Sequence, residues 1–161
     1  MKAVRVLRYG PASVVEIDDV PKPSPGRGQV LVRVEAAGVG NWDALFREGE
    51  SRLEPLPIIL GSDISGTVEA LGAEASGFKP GDEVYGGRTG AAAQYVSVPQ
   101  DRAFVRKPAN VTFEQAAAVP VAAVTLAPSA FAICTAKVPT PPDAPLISAR
   151  CPRSIRPFRR P

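Results

Sequence analysis

The sequence predicts a mainly β protein, a compact barrel-like body of short strands with only small helices, and three observations carry that expectation. Apolar and polar residues alternate with a period of two in at least six short stretches. Glycine recurs every four to six residues at Gly61, Gly66, Gly72, Gly77, Gly81 and Gly86, a density expected where strands turn sharply or backbones approach closely. Helix signals occur in only two short segments.

In chain order, Ala3, Arg5 and Leu7 alternate with Val4, Val6 and Arg8, a strand that ends at the Gly10-Pro11 turn. Val14 to Val20 reads as a second strand. Pro21 to Gly26 has three prolines without an N–H donor, so it is an extended surface connection. Gln29 to Val39 is the clearest strand, with Val30, Val32 and Val34 on one face and Leu31, Arg33 and Glu35 on the other. From Gly40 the period changes. NWDALFREG offers Asn41 and Asp43 as N-caps and stops at Gly49, a helix of about two turns.

Pro55 and Pro57 break the chain before two further strands, one through Ile64, Gly66, Val68 and Ala70 and one around Phe78, Val84 and Tyr85. Gly72 to Gly77, between them, reads as a small and flexible connection. Ala93 to Pro99 is another strand, and Arg102 to Lys107 a short edge strand. Thr112-Phe113-Glu114-Gln115 is a capping box, heading a helix that ends near Ala118 because the residue before Pro120 avoids helical geometry.

The 161 residues carry a net charge of +3 and no histidine. The charge is unevenly placed. Residues 1–126 hold all fourteen glycines, thirteen Lys/Arg and fifteen Asp/Glu, whereas 127–161 hold no glycine, eight prolines, both cysteines, six Lys/Arg and one acid. The basic balance thus lies in the tail, and the body gives no electrostatic reason to expect a nucleic-acid partner. No apolar run is long enough to span a membrane and no signal-peptide core opens the chain, so a cytoplasmic protein is expected. Cys134 and Cys151 read as free thiols.

One stretch has a family pattern. Gly61-Ser62-Asp63, Gly66 and Val68 fit Gly-(His or Ser)-(Glu or Asp)-x-x-Gly-x-Val, and Phe78, Gly81, Asp82 and Val84 fit the Phe-x-x-Gly-Asp-x-Val turn that follows. Together these resemble the medium-chain dehydrogenase/reductase superfamily, with landmarks in order from Met1 to about Thr125. The resemblance implies a GroES-like (chaperonin-10-like) partly open β-barrel over residues 1–126. Its zinc alcohol dehydrogenases place metal ligands where this chain has Gly40 and Ser62, neither a soft nor an imidazole ligand, so no metal is expected. What remains is similar to the zinc-free quinone-oxidoreductase branch, which implies NADPH as cofactor and a small quinone or enone as substrate.

The same resemblance names the site residues. Asp43 matches the branch's aspartate, Gly40 holds the position of its asparagine, and Asn41 lies one place later, so Asn41 and Asp43 are the catalytic candidates and Asn41 and Thr125 the cofactor-binding ones. Asp43 reads equally as a helix cap or structural acceptor. Trp42, the sole tryptophan, reads as a residue that lines a substrate cleft or, the better reading, as a partly buried anchor, and Ser62 and Asp63 read as turn and strand-end hydrogen-bonding groups.

Dinucleotide capture needs a glycine-rich strand-to-helix turn. Gly26-Arg-Gly28 and Gly38-Val-Gly40 lack the later glycine, and Gly86 to Gly90 leads into a strand, so the nucleotide domain is expected to lie outside this sequence. Residues 127–161 are expected to be a disordered Pro/Arg-rich tail of aberrant origin, and the chain to be inactive alone. The apolar run Ala116 to Leu126 suggests self-association. The competing reading is a non-catalytic interaction module with the chaperonin-10-like fold.

Overall fold

The structure is a computed structural model that describes residues 1–50, 55–101 and 104–121. Thr125 and the 127–161 tail lie outside the described residues. Strands β1 (Lys2–Val6), β2 (Val15–Asp19), β3 (Gln29–Gly38), β4 (Ile58–Ile59), β5 (Asp63–Leu71), β6 (Glu83–Gly87), β7 (Tyr95–Pro99) and β8 (Phe104–Arg106) are joined by helices α1 (Asn41–Glu48) and α2 (Phe113–Ala117). A 3-10 turn over Ala12–Val14 replaces the start of the second expected strand.

All pairings are antiparallel. One sheet has the order β7-β3-β5-β6-β8 and the other β2-β1-β4. They meet where Ala3 bridges Ala93 and the Val4 N–H donates to the Ala92 carbonyl at 2.8 Å. The result is the partly open GroES-like barrel, with sheets that wrap toward one another without closing.

β3 departs from simple alternation. Val30, Leu31 and Val32 are all buried, and the pairing with β5 shifts register at Leu31/Val32 and again at Val34/Ala36. The first shift leaves Glu69 of β5 and the second Glu35 of β3 without an opposite residue, and β3, flanked on both sides by β5 and β7, buries neighbours as well as alternates. The main core gathers Val32, Ile64, Val68, Val84, Val98 and Phe104 between the strands of the larger sheet. A smaller cluster of Val6, Val14 and Ile58, with Phe46 from α1, seals the other end.

The Gly72 to Gly77 connection is pinned, contrary to expectation. The Gly72 N–H donates to the Gln29 carbonyl at 2.8 Å and the Gly28 N–H to the Ala73 carbonyl at 2.8 Å. These long-range bonds between loops cannot be read from the small residues themselves.

The capping box of α2 forms as read: Thr112 Oγ1 accepts the Gln115 N–H at 3.2 Å, and Gln115 Oε1 accepts the Thr112 N–H at 3.0 Å. Ala116 and Ala117 are buried against β3 and β5, and the Ser65 hydroxyl donates to the Phe113 carbonyl. The first two residues of the apolar run, Ala116 and Ala117, are therefore core, whereas Val119 is 44% exposed and residues 122–126 lie outside the described residues.

Candidate functional site

The site residues converge where β3 ends. Gly38, the last residue of β3, pairs with Asp63, the first of β5. A Cβ on Gly38 would lie 2.8 Å from the Ala117 carbonyl oxygen and 2.8 Å from the Asp63 Cβ, so only glycine lets α2 close over this corner. Two residues later α1 begins, and it does so differently from the expected caps.

The N-cap is Gly40, in extended backbone with φ −122° and ψ 172°. Asn41 is already the first helical residue and its side chain is exposed, while Asp43 sits in the third helical position. Asp43, 5% exposed, turns back along the helix: its Oδ2 accepts the Gly40 N–H at 2.8 Å and its Oδ1 the Gly61 N–H at 2.7 Å. The first bond is one half of a capping box; glycine has no side chain to complete the other half. The second bond clamps the helix to the turn that carries the Gly-Ser-Asp motif. Asp43 is thereby a structural acceptor with both oxygens committed to backbone amides.

That turn needs its glycine. Gly61 has φ +91°, and a Cβ there would lie 2.7 Å from the Ala92 nitrogen. Its carbonyl accepts the Gly90 N–H at 3.0 Å, and the Ser62 carbonyl accepts the Arg88 N–H at 2.8 Å.

Asp63 follows, 3% exposed, and its Oδ1 accepts the Val121 N–H just after Pro120. Burial raises its carboxyl above the ordinary aspartate value, the Val121 amide works against that rise, and the Asp43 carboxylate adds to it. A carboxyl whose folded value is raised holds its proton more tightly folded than unfolded. Its contribution is complete below the unfolded value and is lost as pH rises through the folded one. Asp63→Asn, which keeps an acceptor for Val121 without the charge, should therefore raise stability near neutral pH. The gain should shrink as pH falls through the raised folded value and should be gone below about 4, the ordinary aspartate value. Urea midpoints of both proteins across that range check it, and a gain independent of pH would contradict it.

Trp42 completes the corner in a way the sequence reading missed. Its indole lies over Gly40: a Cβ at Gly40 would be 2.5 Å from Cε2, 2.6 Å from Nε1 and 2.8 Å from Cζ2. The Nε1–H is buried and has no hydrogen-bond partner among the described residues. The available signal was a glycine two residues before the only tryptophan, at a position where the family resemblance leads one to expect a polar side chain.

The structure thus brings Asp43 into one cluster with Gly40, Gly61 and Asp63, and it places Asn41 exposed on the first turn beside them. A separate groove of about 380 Å³, lined among others by Met1, Val20, Ile58, Arg88, Thr89 and Tyr95, contains none of these residues. Among the described residues no group of three or more His, Cys, Asp or Glu is arranged to hold a metal ion, and no helix is long and apolar enough to cross a membrane.

With the geometry in place, comparison with known proteins gives a consistent picture. Residues 26–109 match the family model of the alcohol dehydrogenase GroES-like domain. A human quinone oxidoreductase is 37% identical over 123 residues, covering 74% of this chain and 37% of its own length. A tomato (Solanum lycopersicum) 2-methylene-furan-3-one reductase is 33% identical over 138 residues, covering 78% of this chain and 35% of its own. Among solved structures, a mycobacterial protein complexed with NADPH superposes with a TM-score of 0.68 at 35% identity, over 73% of this chain and 37% of its own. The chain thus spans somewhat over a third of the length of these relatives.

Proposed function

The chain belongs to the alcohol dehydrogenase GroES-like domain family, in the quinone-oxidoreductase-like branch of the medium-chain dehydrogenase/reductases, and from that premise we propose that residues 1–126 are the substrate-facing domain of a zinc-independent, NADPH-dependent reductase of quinones or enones. The observation that carries this reading is the match of residues 26–109 to that family, together with the relatives named for quinone and enone-type reduction.

The absence of zinc chemistry is supported by the donor set. The indole of Trp42 lies over Gly40, and Ser62 offers only a hydroxyl, which makes a poor zinc ligand. NADPH is supported by the mycobacterial neighbour complexed with it. Bound there, NADPH would supply the hydride for reduction of an electrophilic carbon, with the matching proton taken from solvent.

This chain's residues set the stage for that transfer. Asp43 holds the start of α1 against the Gly61 turn and so fixes where Asn41 and Trp42 stand. Asn41 is exposed on the first turn of α1, and its proposed role toward cofactor or substrate rests on the family resemblance. Thr125 has the corresponding role toward the nicotinamide by family resemblance. No glycine-rich strand-to-helix turn occurs in the 161 residues, so by themselves they orient the cofactor's reactive end without gripping its pyrophosphate, and turnover by this chain alone is negligible.

Titration of the chain with NADPH tests the reading. Cofactor at about 5 mM should raise the thermal midpoint measurably and alter NADPH fluorescence, as expected of a ligand that binds only the folded state. If midpoint and fluorescence both stay fixed, the chain is a non-catalytic module of this fold.

A further inference from the structure

We propose that Trp42 is a stowed hydrogen-bond donor for the carbonyl oxygen of the substrate: the indole rests on Gly40 when the site is empty and turns off it to donate its Nε1–H to an enone or quinone oxygen. The inference rests on the reading of the chain as an enone or quinone reductase and adds to it the group that recognises the carbonyl.

Two features of the corner point this way. The first concerns Gly40. Its φ of −122° is open to any residue, so the backbone does not demand glycine. What demands it is the ring, since any Cβ would fall within 2.8 Å of three indole atoms. The empty side-chain position at Gly40 and the ring that fills it are therefore one arrangement. The second concerns the Nε1–H. It is the only buried side-chain nitrogen or oxygen among the described residues without a partner. A buried unpaired donor costs roughly 1–3 kcal/mol, and native proteins keep few of them.

The surroundings explain how the donor stays orphaned. Asp43, the next residue in the chain, directs its two oxygens to the Gly40 and Gly61 amides and makes no hydrogen bond to the indole. Trp42 is the second residue of α1, next to exposed Asn41 in the chain, and the nearby Val39 and Leu45 are 86% and 41% exposed. One unpaired donor on a helix turn with exposed apolar residues suits a small planar ligand that has a single strong acceptor. Negative charge gathers on the carbonyl oxygen as the enone is reduced, so a donor there favours the reaction as well as binding.

Because Trp42 is the sole tryptophan, its indole N–H gives a single assignable NMR resonance in the wild-type chain. 2-Cyclohexen-1-one should move that resonance downfield in a saturable way, and cyclohexene, of the same shape without an acceptor, should leave it in place. Trp42→Phe keeps a ring and loses the N–H, and should weaken enone binding roughly three- to tenfold, the effect of one hydrogen bond. Gly40→Ala should expel the ring without any ligand, shifting the indole resonance and speeding its exchange with solvent.

An indole resonance that stays fixed while the backbone amides of Gly40 and Gly61 respond to the enone would overturn the role of Trp42 and leave the reductase reading standing. A response to cyclohexene equal to that with the enone, or an unmoved indole in Gly40→Ala, would also overturn it. No response anywhere to the enone would remove both the donor and the substrate class.

Discussion

Alanine at Gly66 should cost the fold about 3 kcal/mol or more, the upper end of what overpacking costs and a large share of the stability of an ordinary domain. Gly66 lies in the middle of β5, paired with Val34 on one side and Val84 on the other, at the centre of the larger sheet. A Cβ there would sit 2.1 Å from the Arg33 carbonyl oxygen and 2.9 Å from the Val32 Cγ1. No rotamer relieves that overlap, because the obstructing oxygen is backbone; β3 and β5 must part, and the core residues Val32 and Val68 part with them. Gly77 gives an internal control. It has φ +81° but nothing within 4 Å of its Cβ position, so Gly77→Ala should lose only about 1–2 kcal/mol, the cost of a left-handed alanine. Urea midpoints of the two variants should differ widely. Near-equal midpoints would show that the β3–β5 contact yields easily.

The second large effect is at Asp43. Asp43→Ala leaves two amides, Gly40 and Gly61, without their acceptor at a 5% exposed site, and should cost about 2–5 kcal/mol. Asp43→Asn should recover no more than half of that. Its single oxygen can accept from one amide, and its NH2 then points a donor at the other. The loss should also be local. Hydrogen exchange at the Gly61 amide should speed up in either variant, while amides in β7 stay protected. Unchanged exchange at Gly61 would mean that the turn holds itself and that Asp43 is not its clamp.

These two residues show what the sequence made legible. Gly66 and Asp43 both belonged to recognisable patterns, the period-two strand and the start of a short helix, because such patterns record local backbone geometry. The Thr112 to Gln115 box formed as read for the same reason. What was hidden depends on distant partners. Cap preferences favour Asn41 or Asp43 over Gly40, yet glycine caps α1 because Asp43 is drawn across to Gly61, eighteen positions away. Leu31 is buried as well as its neighbours Val30 and Val32 because β3 is a central strand paired with both β5 and β7, and a periodicity count does not show which strands will flank it. The Gly72 connection is stiff because Gln29 and Gly28 hold it from another loop. Trp42 read as an anchor, and only its placement over Gly40 distinguishes it from one.

The central claim is that the corner formed by Gly38 to Asp43 and Gly61 to Asp63 is where substrate and reduced nicotinamide meet. Backbone amide NMR of the chain with NADPH and 2-cyclohexen-1-one addresses it directly. The account predicts that the largest perturbations fall on Gly40, Asn41, Trp42 and Gly61. Perturbations confined to the groove lined by Met1, Arg88, Thr89 and Tyr95, or a spectrum that does not change, would contradict it.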